Sequence, residues 1–184
     1  MKKNVEIKKV FLKLVDTKPF ESINVSLICE ELNMKRQSFY YHYRDIYDLV
    51  ESILSDYTDE LITSDLTRYY LNRICDFVYS NLYFFSQCIN GGLKEAVNKF
   101  FVNLFLPYVT NTLANVESSK NLAYKDIMEI ATYHSEALSF YALETFRYDK
   151  ELNLDHIVNR IEIFLDKENL ERTAKLFYEK RREI

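Results

Sequence analysis

The scarcity of glycine and proline limits this chain to folds built from long helices with few tight turns. Only two residues of each type occur among 184, whereas strand-rich folds need turn residues at frequent intervals. Apolar residues also recur at helical spacing, three, four and seven positions apart, most clearly over residues 122–147. A hydrophobic fraction of 48% and a charged fraction of 28% are ordinary for a globular protein. The sequence therefore predicts an all-α fold.

The N-terminal residues predict a longer helix followed by two short ones. The first helix spans 4–17. Asn24 is a good N-cap for a short helix over 25–32, and Asn33 tolerates the left-handed conformation that a tight turn between helices needs. The second short helix covers 35–42. Two short helices joined by a tight turn, after a longer helix, form a tri-helical DNA-binding unit.

The rest of the chain predicts a second, larger helical unit. Helices are expected over 45–63, 66–88, 93–105, 122–147 and 154–165, with a further one at the C-terminus. The Asn-Gly-Gly run at 90–92 should stop one helix, since glycines commonly follow helix ends. Pro107 should begin a further helix or kink the one over 93–105. Residues 115–121 indicate a loop, and the last helical region is expected to break near Asn169.

Positive charge is concentrated near the N-terminus, although the formal net charge is -4. Residues 1–50 hold nine Lys or Arg and seven Asp or Glu, whereas the remaining residues hold fifteen and twenty-one. Between residues 32 and 44 there is no acidic residue, and the basic side chains there are Lys35, Arg36, His42 and Arg44. Because local positive charge attracts the phosphate backbone, this segment is where nucleic-acid contacts are expected.

The second short helix carries side chains that suit a DNA major groove. Its exposed side is predicted to present Lys35, Arg36, Gln37 and Tyr41, while Phe39 faces inward. Arginine matches guanine O6 and N7 with its forked donors, and glutamine matches adenine N6 and N7. Three further polar side chains suit phosphate oxygens, namely Ser38, Tyr40 and His42.

Each of these assignments has a structural alternative. Arg36 and Gln37 are also consistent with solvated residues on a short helix, and His42 with a side chain that caps its own helix or packs locally. Four lysines near the N-terminus fit either an arm along the DNA backbone or a solvated basic face, namely Lys2, Lys3, Lys8 and Lys9.

The Ser-Phe-Tyr-Tyr-His-Tyr run at 38–43 resembles the Thr-Phe-Tyr-x-His-Phe signature of the TetR family of bacterial regulators. The following Arg-Asp-Ile-Tyr-Asp-Leu is similar to a subgroup named for dihydroxyacetone-kinase regulators. The resemblance covers residues 4–55, and the remainder is similar only in helix number and length. Family members commonly have Gly where this chain has Asn33, and a capping residue where it has Lys35. Since lysine cannot cap as serine does, the recognition helix is expected to begin uncapped, at a cost of ~1 kcal/mol.

The resemblance implies an all-α homodimer with a helix-turn-helix DNA-binding domain over 1–48 and an effector-binding and dimerisation domain over 49–184. It implies that Ser26 and the seven recognition-helix residues named above contact near-palindromic operator DNA. The dimer is expected to form through 122–147 and 154–180, as a four-helix interface. The implied function is that of a ligand-responsive repressor, in which an effector shifts the fourth helix and changes the spacing of the two recognition helices.

Aromatic residues are concentrated in residues 77–108, which raises the question of an effector pocket. Core packing is the structural interpretation for most of them; the functional one is a cavity that binds a small apolar or aromatic effector. The candidate pocket residues are Tyr79, Tyr83, Phe84, Phe101, Phe105, Tyr108 and His134. For His134, a buried or interface position is the alternative to ligand contact.

Sequence patterns typical of catalysis or metal binding are missing. The three histidines are scattered, and the sequence has no Gly-rich phosphate loop, no Gly-x-Ser-x-Gly elbow and no Cys-x-x-Cys or His-Glu-x-x-His spacing. We therefore expect neither an enzyme nor a metal site nor a cofactor.

Cysteine spacing and hydropathy indicate a cytoplasmic protein. Cys29, Cys75 and Cys88 lie far apart, which fits buried, reduced thiols better than a disulfide framework. No apolar run approaches the ~18 residues of a membrane-spanning helix, and polar residues interrupt the N-terminus where a signal peptide would be apolar.

Two other functions fit the same helices. One is a regulator that activates transcription, or that responds to a partner protein and not to a small molecule. The other is a helical interaction module that does not bind DNA.

Overall fold

The computed structural model describes residues 3–148 and 153–181, and within these ranges it consists of helices and their connections, with no β-strand. Its α-helices are α1 (Lys3–Val15), α2 (Val25–Glu31), α3 (Arg36–Tyr40), α4 (Ile46–Leu61), α5 (Arg68–Ser80), α6 (Leu82–Cys88), α7 (Lys94–Ala114), α8 (Tyr124–Tyr148), α9 (Leu154–Phe164) and α10 (Lys167–Arg181). Two 3₁₀ turns, Phe20–Ser22 and Glu117–Asn121, and a π-helical segment, Ile89–Leu93, connect some of them. The predicted all-α class is confirmed.

Packing divides the helices into two compact units. The first consists of Met1–Glu60 and Ser80–Val97, and the second of Leu61–Tyr79 and Asn98–Ile184. The first unit thus combines the N-terminal helices with α6 and the π-helical segment. The sequence predicts a DNA-binding domain over 1–48. Packing does not test which residues bind DNA, so the boundary after Asp48 stays a prediction. Lys2 of the predicted basic arm lies outside the described residues.

Local signals define the first three helices of the first unit. The Asn24 side chain accepts a hydrogen bond from the Leu27 N–H at 3.1 Å and so caps α2, as predicted. Apolar residues from each of the three helices are buried together: Ile7, Phe11, Ile28 and Phe39. Because each helix is short, this shared core stabilises them more than their own helix propensity does.

The 3₁₀ turn after α1 joins the N-terminal helices to α6 and the π-helical segment. The Phe20 N–H donates to Gln87 Oε1 at 2.9 Å. The Phe20 ring is buried and meets the rings of Phe11 and Tyr47 edge-on, at centroid distances of 6.3 and 6.1 Å. A Cβ added to Gly91 would overlap with the Phe20 ring, so these two residues are in close contact. This contact explains why residues distant in sequence share one unit.

Three helix boundaries differ from those predicted. The expected helix over 66–88 is interrupted at Asn81, whose backbone (φ -120°, ψ 20°) is not helical. Pro107 lies inside α7 and does not end it, since burial of the surrounding apolar side chains outweighs the ~3 kcal/mol that proline costs a helix. The C-terminal break falls at Asp166 and not near Asn169, and the Asp166 carboxylate accepts from the Glu168 N–H at 3.0 Å.

Aromatic packing and polar ties hold the second unit together. The Tyr70 hydroxyl donates to the Leu104 carbonyl at 2.7 Å, and its ring lies parallel to that of Tyr108. Arg68 on α5 forms an ion pair with Glu162 on α9.

None of the helices in the described ranges is both long and apolar enough to cross a membrane.

Regularly spaced apolar side chains of α8 and α9, two helices within the ranges expected to form a dimer, are buried within the chain itself. Ile130 and Leu138 on α8 are buried, as are Ile157 and Ile161 on α9. Among the described side chains, the large apolar ones that remain exposed on these two helices are Tyr124, Tyr133, Phe140, Ile163 and Phe164. The most regular apolar spacing therefore forms the core of the second unit and leaves a different side of each helix exposed. The expected dimer through 122–147 and 154–180 stays a prediction.

Candidate nucleic-acid interface

One buried aromatic side chain sets the orientation of α3. Phe39 is fully buried, and its ring contacts those of Tyr40 and Tyr43 at centroid distances of 5.7 and 5.8 Å. Since α3 has only five residues, it cannot be stable by itself. Phe39 therefore fixes which side of α3 faces the protein core and which side faces solvent.

The predicted contact residues lie together on and beside the exposed side of α3. Lys35, Arg36, Gln37, Tyr40 and Tyr41 are exposed, and Tyr41 most of all at 85%. The other predicted contacts, Ser26, Ser38 and His42, are partly buried. The structure thus presents a cationic, amide-bearing and aromatic surface of the kind that base edges and phosphates accept.

The turn between α2 and α3 is a Schellman motif with asparagine in the left-handed position. Asn33 has φ 46°, its N–H donates to the Glu30 carbonyl at 3.1 Å, and the Met34 N–H donates to the Cys29 carbonyl at 2.9 Å. The predicted role of Asn33 is confirmed. These two hydrogen bonds satisfy the last carbonyls of α2 and set the angle at which the chain enters α3.

The first turn of α3 has no side-chain cap, as predicted. Lys35 precedes the helix in an extended conformation (φ -74°, ψ 146°), and no side chain accepts from the N–H groups that follow. An uncapped helix start leaves backbone donors available to a phosphate oxygen or water.

A shallow cleft of about 490 Å³ lies along this turn. Its lining residues are Ser26, Cys29, Glu30, Asn33, Met34, Lys35 and Arg36. The Arg36 guanidinium crosses the turn and donates a hydrogen bond to the Ser26 hydroxyl. Within the described part of the chain, neither Lys35 nor Arg36 forms an ion pair with a carboxylate. Both charges therefore remain available to an anion.

Two other basic side chains of this segment are engaged within the protein. Arg44 pairs with Asp48 at 3.1 Å, and the same carboxylate accepts from the Arg44 N–H at 2.9 Å. These hydrogen bonds from Arg44 hold the pKa of Asp48 below its ordinary value. The His42 ring packs edge-on against Tyr41 at 5.0 Å. Of the four basic side chains between residues 32 and 44, Lys35 and Arg36 are thus the exposed ones without a carboxylate partner in the described ranges.

Two basic residues of α1 form ion pairs within the protein. Lys8 Nζ donates to the Ser52 carbonyl at 3.0 Å and to Asp56 at 2.6 Å, which ties α1 to α4. Lys3 pairs with Glu6 at 3.0 Å. A lysine that holds two helices together is not part of an arm, so the basic-arm interpretation is wrong for Lys8.

The predicted pocket residues are divided between the two units. Tyr83 and Phe84 belong to the first, where Phe84 packs against Tyr57 at 6.0 Å. In the second, the Phe101 and Phe105 rings are stacked at 6.2 Å. The remaining three are Tyr79, which is exposed, Tyr108, which is buried, and His134, which is partly buried. Their role in binding an effector stays a prediction.

His134 is a partly buried polar residue of the second unit. Its Nε2 atom is buried and has no hydrogen-bond partner among the residues that the structure describes. Burial lowers the pKa of its imidazole from the ordinary 6.5. A neutral imidazole in this position offers an acceptor or a donor to any polar group brought beside it.

The three cysteines are all buried, as predicted. Burial raises the pKa of the Cys75 and Cys88 thiols to about 12, so both are protonated at neutral pH. No three His, Cys, Asp or Glu side chains gather into a metal-binding cluster within the described ranges.

Sequence reasoning missed two contacts between separate segments of the first unit. The hydrogen bond from Arg36 to Ser26 spans ten residues, and the contact between Phe20 and Gly91 joins distant segments. The sequence carried one weak signal for the second, the glycine pair at 91–92, which was interpreted only as a helix stop.

Comparison with known proteins supports the fold of this chain and does not establish its function. No protein-family model matches the sequence, and no curated protein matches it. Among solved structures, the dihydroxyacetone kinase operon activator DhaS is similar, with a TM-score of 0.64 and 19% sequence identity over 88% of this chain and 93% of that chain. Identity this low shows a shared fold alone. The chain therefore has the all-α, TetR-like fold that its sequence predicts.

Proposed function

We propose that this protein is a sequence-specific DNA-binding transcription regulator of the TetR type. The observation that carries the proposal is the exposed side of α3, where Lys35 and Arg36 lie beside Gln37 and Tyr41. Over 3–148 and 153–181, neither of these two basic side chains has a carboxylate partner. Buried Phe39 holds this side outward. A short helix anchored in this way can enter a major groove and place Arg and Gln against base edges.

We propose that the regulator acts as a homodimer on a near-palindromic operator. Phe140 is 61% exposed and Ile163 is 59% exposed, and both lie on helices of the second unit. Large apolar side chains exposed on neighbouring helices are typical of a protein interface. Two copies of α3 would then contact half-sites about 34–36 Å apart, one helical turn of DNA.

Two modes of regulation are compatible with this interface. In the first, the protein is a repressor released by a small apolar or aromatic effector that binds among the pocket residues named above. In the second, it is an activator, with or without a partner protein. The similar structure is described as an operon activator, which favours this mode. Transcription from a reporter carrying the selected operator separates the two, because loss of the protein raises expression in one case and lowers it in the other.

The proposal is tested by selecting bound sequences from a random duplex DNA pool at a stated salt concentration. We expect enrichment of an inverted repeat, since a symmetric dimer reads two equal half-sites. If no sequence is enriched over the starting pool, DNA recognition is excluded and a helical interaction module becomes the better description.

Substitution of Lys35 by alanine should flatten the salt dependence of DNA binding. One phosphate contact fewer reduces the slope of log affinity against log salt by about one. The matched control is Lys99→Ala, which removes an exposed lysine of the second unit and should leave the slope unchanged. Fluorescence anisotropy across a salt series measures both. Equal slopes for Lys35→Ala and the unmodified protein would remove Lys35 from the phosphate contacts.

Substitution of Phe140 by glutamate should dissociate the proposed dimer. A buried charge opposite an apolar surface is costly, so the dimer dissociation constant should rise by about 30-fold or more. Sedimentation equilibrium at micromolar concentration measures it, and Lys125→Glu, an exposed position on the same helix, is the control. A sedimentation mass of a monomer for the unmodified protein would contradict the dimer itself.

A further inference from the structure

The hydrogen bond between Arg36 and Ser26 joins the first residue of α3 to the first turn of α2. Ser26 is the second residue of α2 and is partly buried, whereas Arg36 is exposed. The guanidinium reaches back over the Schellman turn and donates to the Ser26 hydroxyl. An exposed arginine otherwise samples many rotamers, so this bond restricts the direction in which its charged end points.

The Ser26 hydroxyl that accepts this bond is neutral, so Arg36 keeps its positive charge for an anion. Glu30 lines the same cleft, yet the structure forms no ion pair between its carboxylate and Arg36. A carboxylate partner would neutralise the guanidinium and weaken its attraction to DNA. A hydroxyl orients the group and leaves its full charge in place.

The bond also leaves enough donors for base recognition. A guanidinium has five N–H donors in one plane, and the bond to Ser26 uses one of them. Two parallel donors are needed to contact O6 and N7 of a guanine. The Ser26 hydroxyl, which accepts from Arg36, keeps its own proton for donation to a phosphate oxygen.

We propose that Ser26 is a positioning residue that determines base specificity: its hydroxyl directs the Arg36 guanidinium so that Arg36 distinguishes one base pair of the operator. This inference rests on the proposed function and assigns separate roles to Arg36 and Ser26. Arg36 touches the base, and Ser26 acts through Arg36. Ser26 thus contributes to sequence preference as well as to affinity.

The test compares Ser26→Ala, Ser26→Thr and Arg36→Ala in competition binding against the selected operator and against operators with one base pair changed at each position. At the one position that Arg36→Ala affects, Ser26→Ala should reduce discrimination by about tenfold. Ser26→Thr keeps the hydroxyl and should retain the preference. In the double variant, Ser26→Ala should add nothing at that position, because its effect passes through Arg36.

Two results would overturn the inference. One is an equal loss of affinity for all operators with Ser26→Ala, which would make Ser26 a phosphate contact only. The other is unchanged discrimination at every position. Circular dichroism verifies folding, and Ser26→Cys, which keeps the side-chain size, replaces the alanine variant if that one does not fold. Absence of any selected operator for the unmodified protein would instead contradict the proposed function, so the two failures are distinguishable.

Discussion

Replacing Phe39 by alanine should lower the free energy of unfolding of the first unit by about 3–5 kcal/mol. The side chain is fully buried in the core formed by α1, α2 and α3, so the variant loses the transfer free energy of the ring and gains a cavity. Folded domains are stable by only about 5–15 kcal/mol. The loss is therefore a large part of the total. Under the proposed function, DNA binding should be lost together with the packing of α1, α2 and α3.

The matched control is Tyr41→Ala, two positions further along the same segment. Tyr41 is also aromatic but is 85% exposed, so its removal should change stability by no more than about 0.5 kcal/mol. Under the proposed function, it should nevertheless weaken operator binding. Urea unfolding followed by circular dichroism, together with anisotropy on the selected operator, separates the two variants. If Tyr41→Ala were the more destabilising change, the assigned orientation of α3 would be wrong.

Replacing Gly91 by alanine should destabilise the first unit by about 1–3 kcal/mol, because the added Cβ overlaps with the Phe20 ring. The ring has no room to move, since it is buried and packed edge-on against Phe11 and Tyr47. The double variant that also carries Phe20→Leu should recover part of the loss. Urea unfolding of the two single variants and the double variant measures this coupling.

Gly92 provides the internal control, because it is required for a different reason. Its φ is +87°, in the left-handed region, and, its adjacent backbone aside, no described residue lies within 4 Å of an added Cβ. Alanine there should cost about 1–2 kcal/mol of backbone strain, and Phe20→Leu should not relieve it. Asparagine should be better tolerated than alanine, as it visits this conformation more readily. Equal rescue of both glycine variants by Phe20→Leu would contradict the assignment of the overlap to Gly91.

Local chemistry made much of the structure around α2 and α3 predictable. The Asn24 cap, the left-handed Asn33 and the uncapped start at Lys35 each follow from one side chain and its immediate neighbours. Burial of Phe39 followed from helical spacing. These features depend on contacts over a few residues, and such contacts are what sequence patterns encode.

The features that sequence reasoning missed depend on contacts between distant segments. The interruption at Asn81 has no glycine or proline to signal it. The regular apolar spacing of α8 identified a buried face correctly, but spacing cannot tell whether the same chain or a second copy covers that face. For the same reason, the packing of Phe20 against Gly91 and the bond from Arg36 to Ser26 became visible only in the structure.

The buried cysteines have a practical consequence for kinetic work on this protein. Their thiols are protonated at neutral pH and shielded from reagents, so alkylation can proceed only when the surrounding helices open. Cys29 and Cys88 lie in the first unit and Cys75 in the second. Mass spectrometry of an alkylation time course therefore gives a separate opening rate for each unit, with no engineered label. The two thiols of the first unit and the one of the second are thus native probes of helix opening.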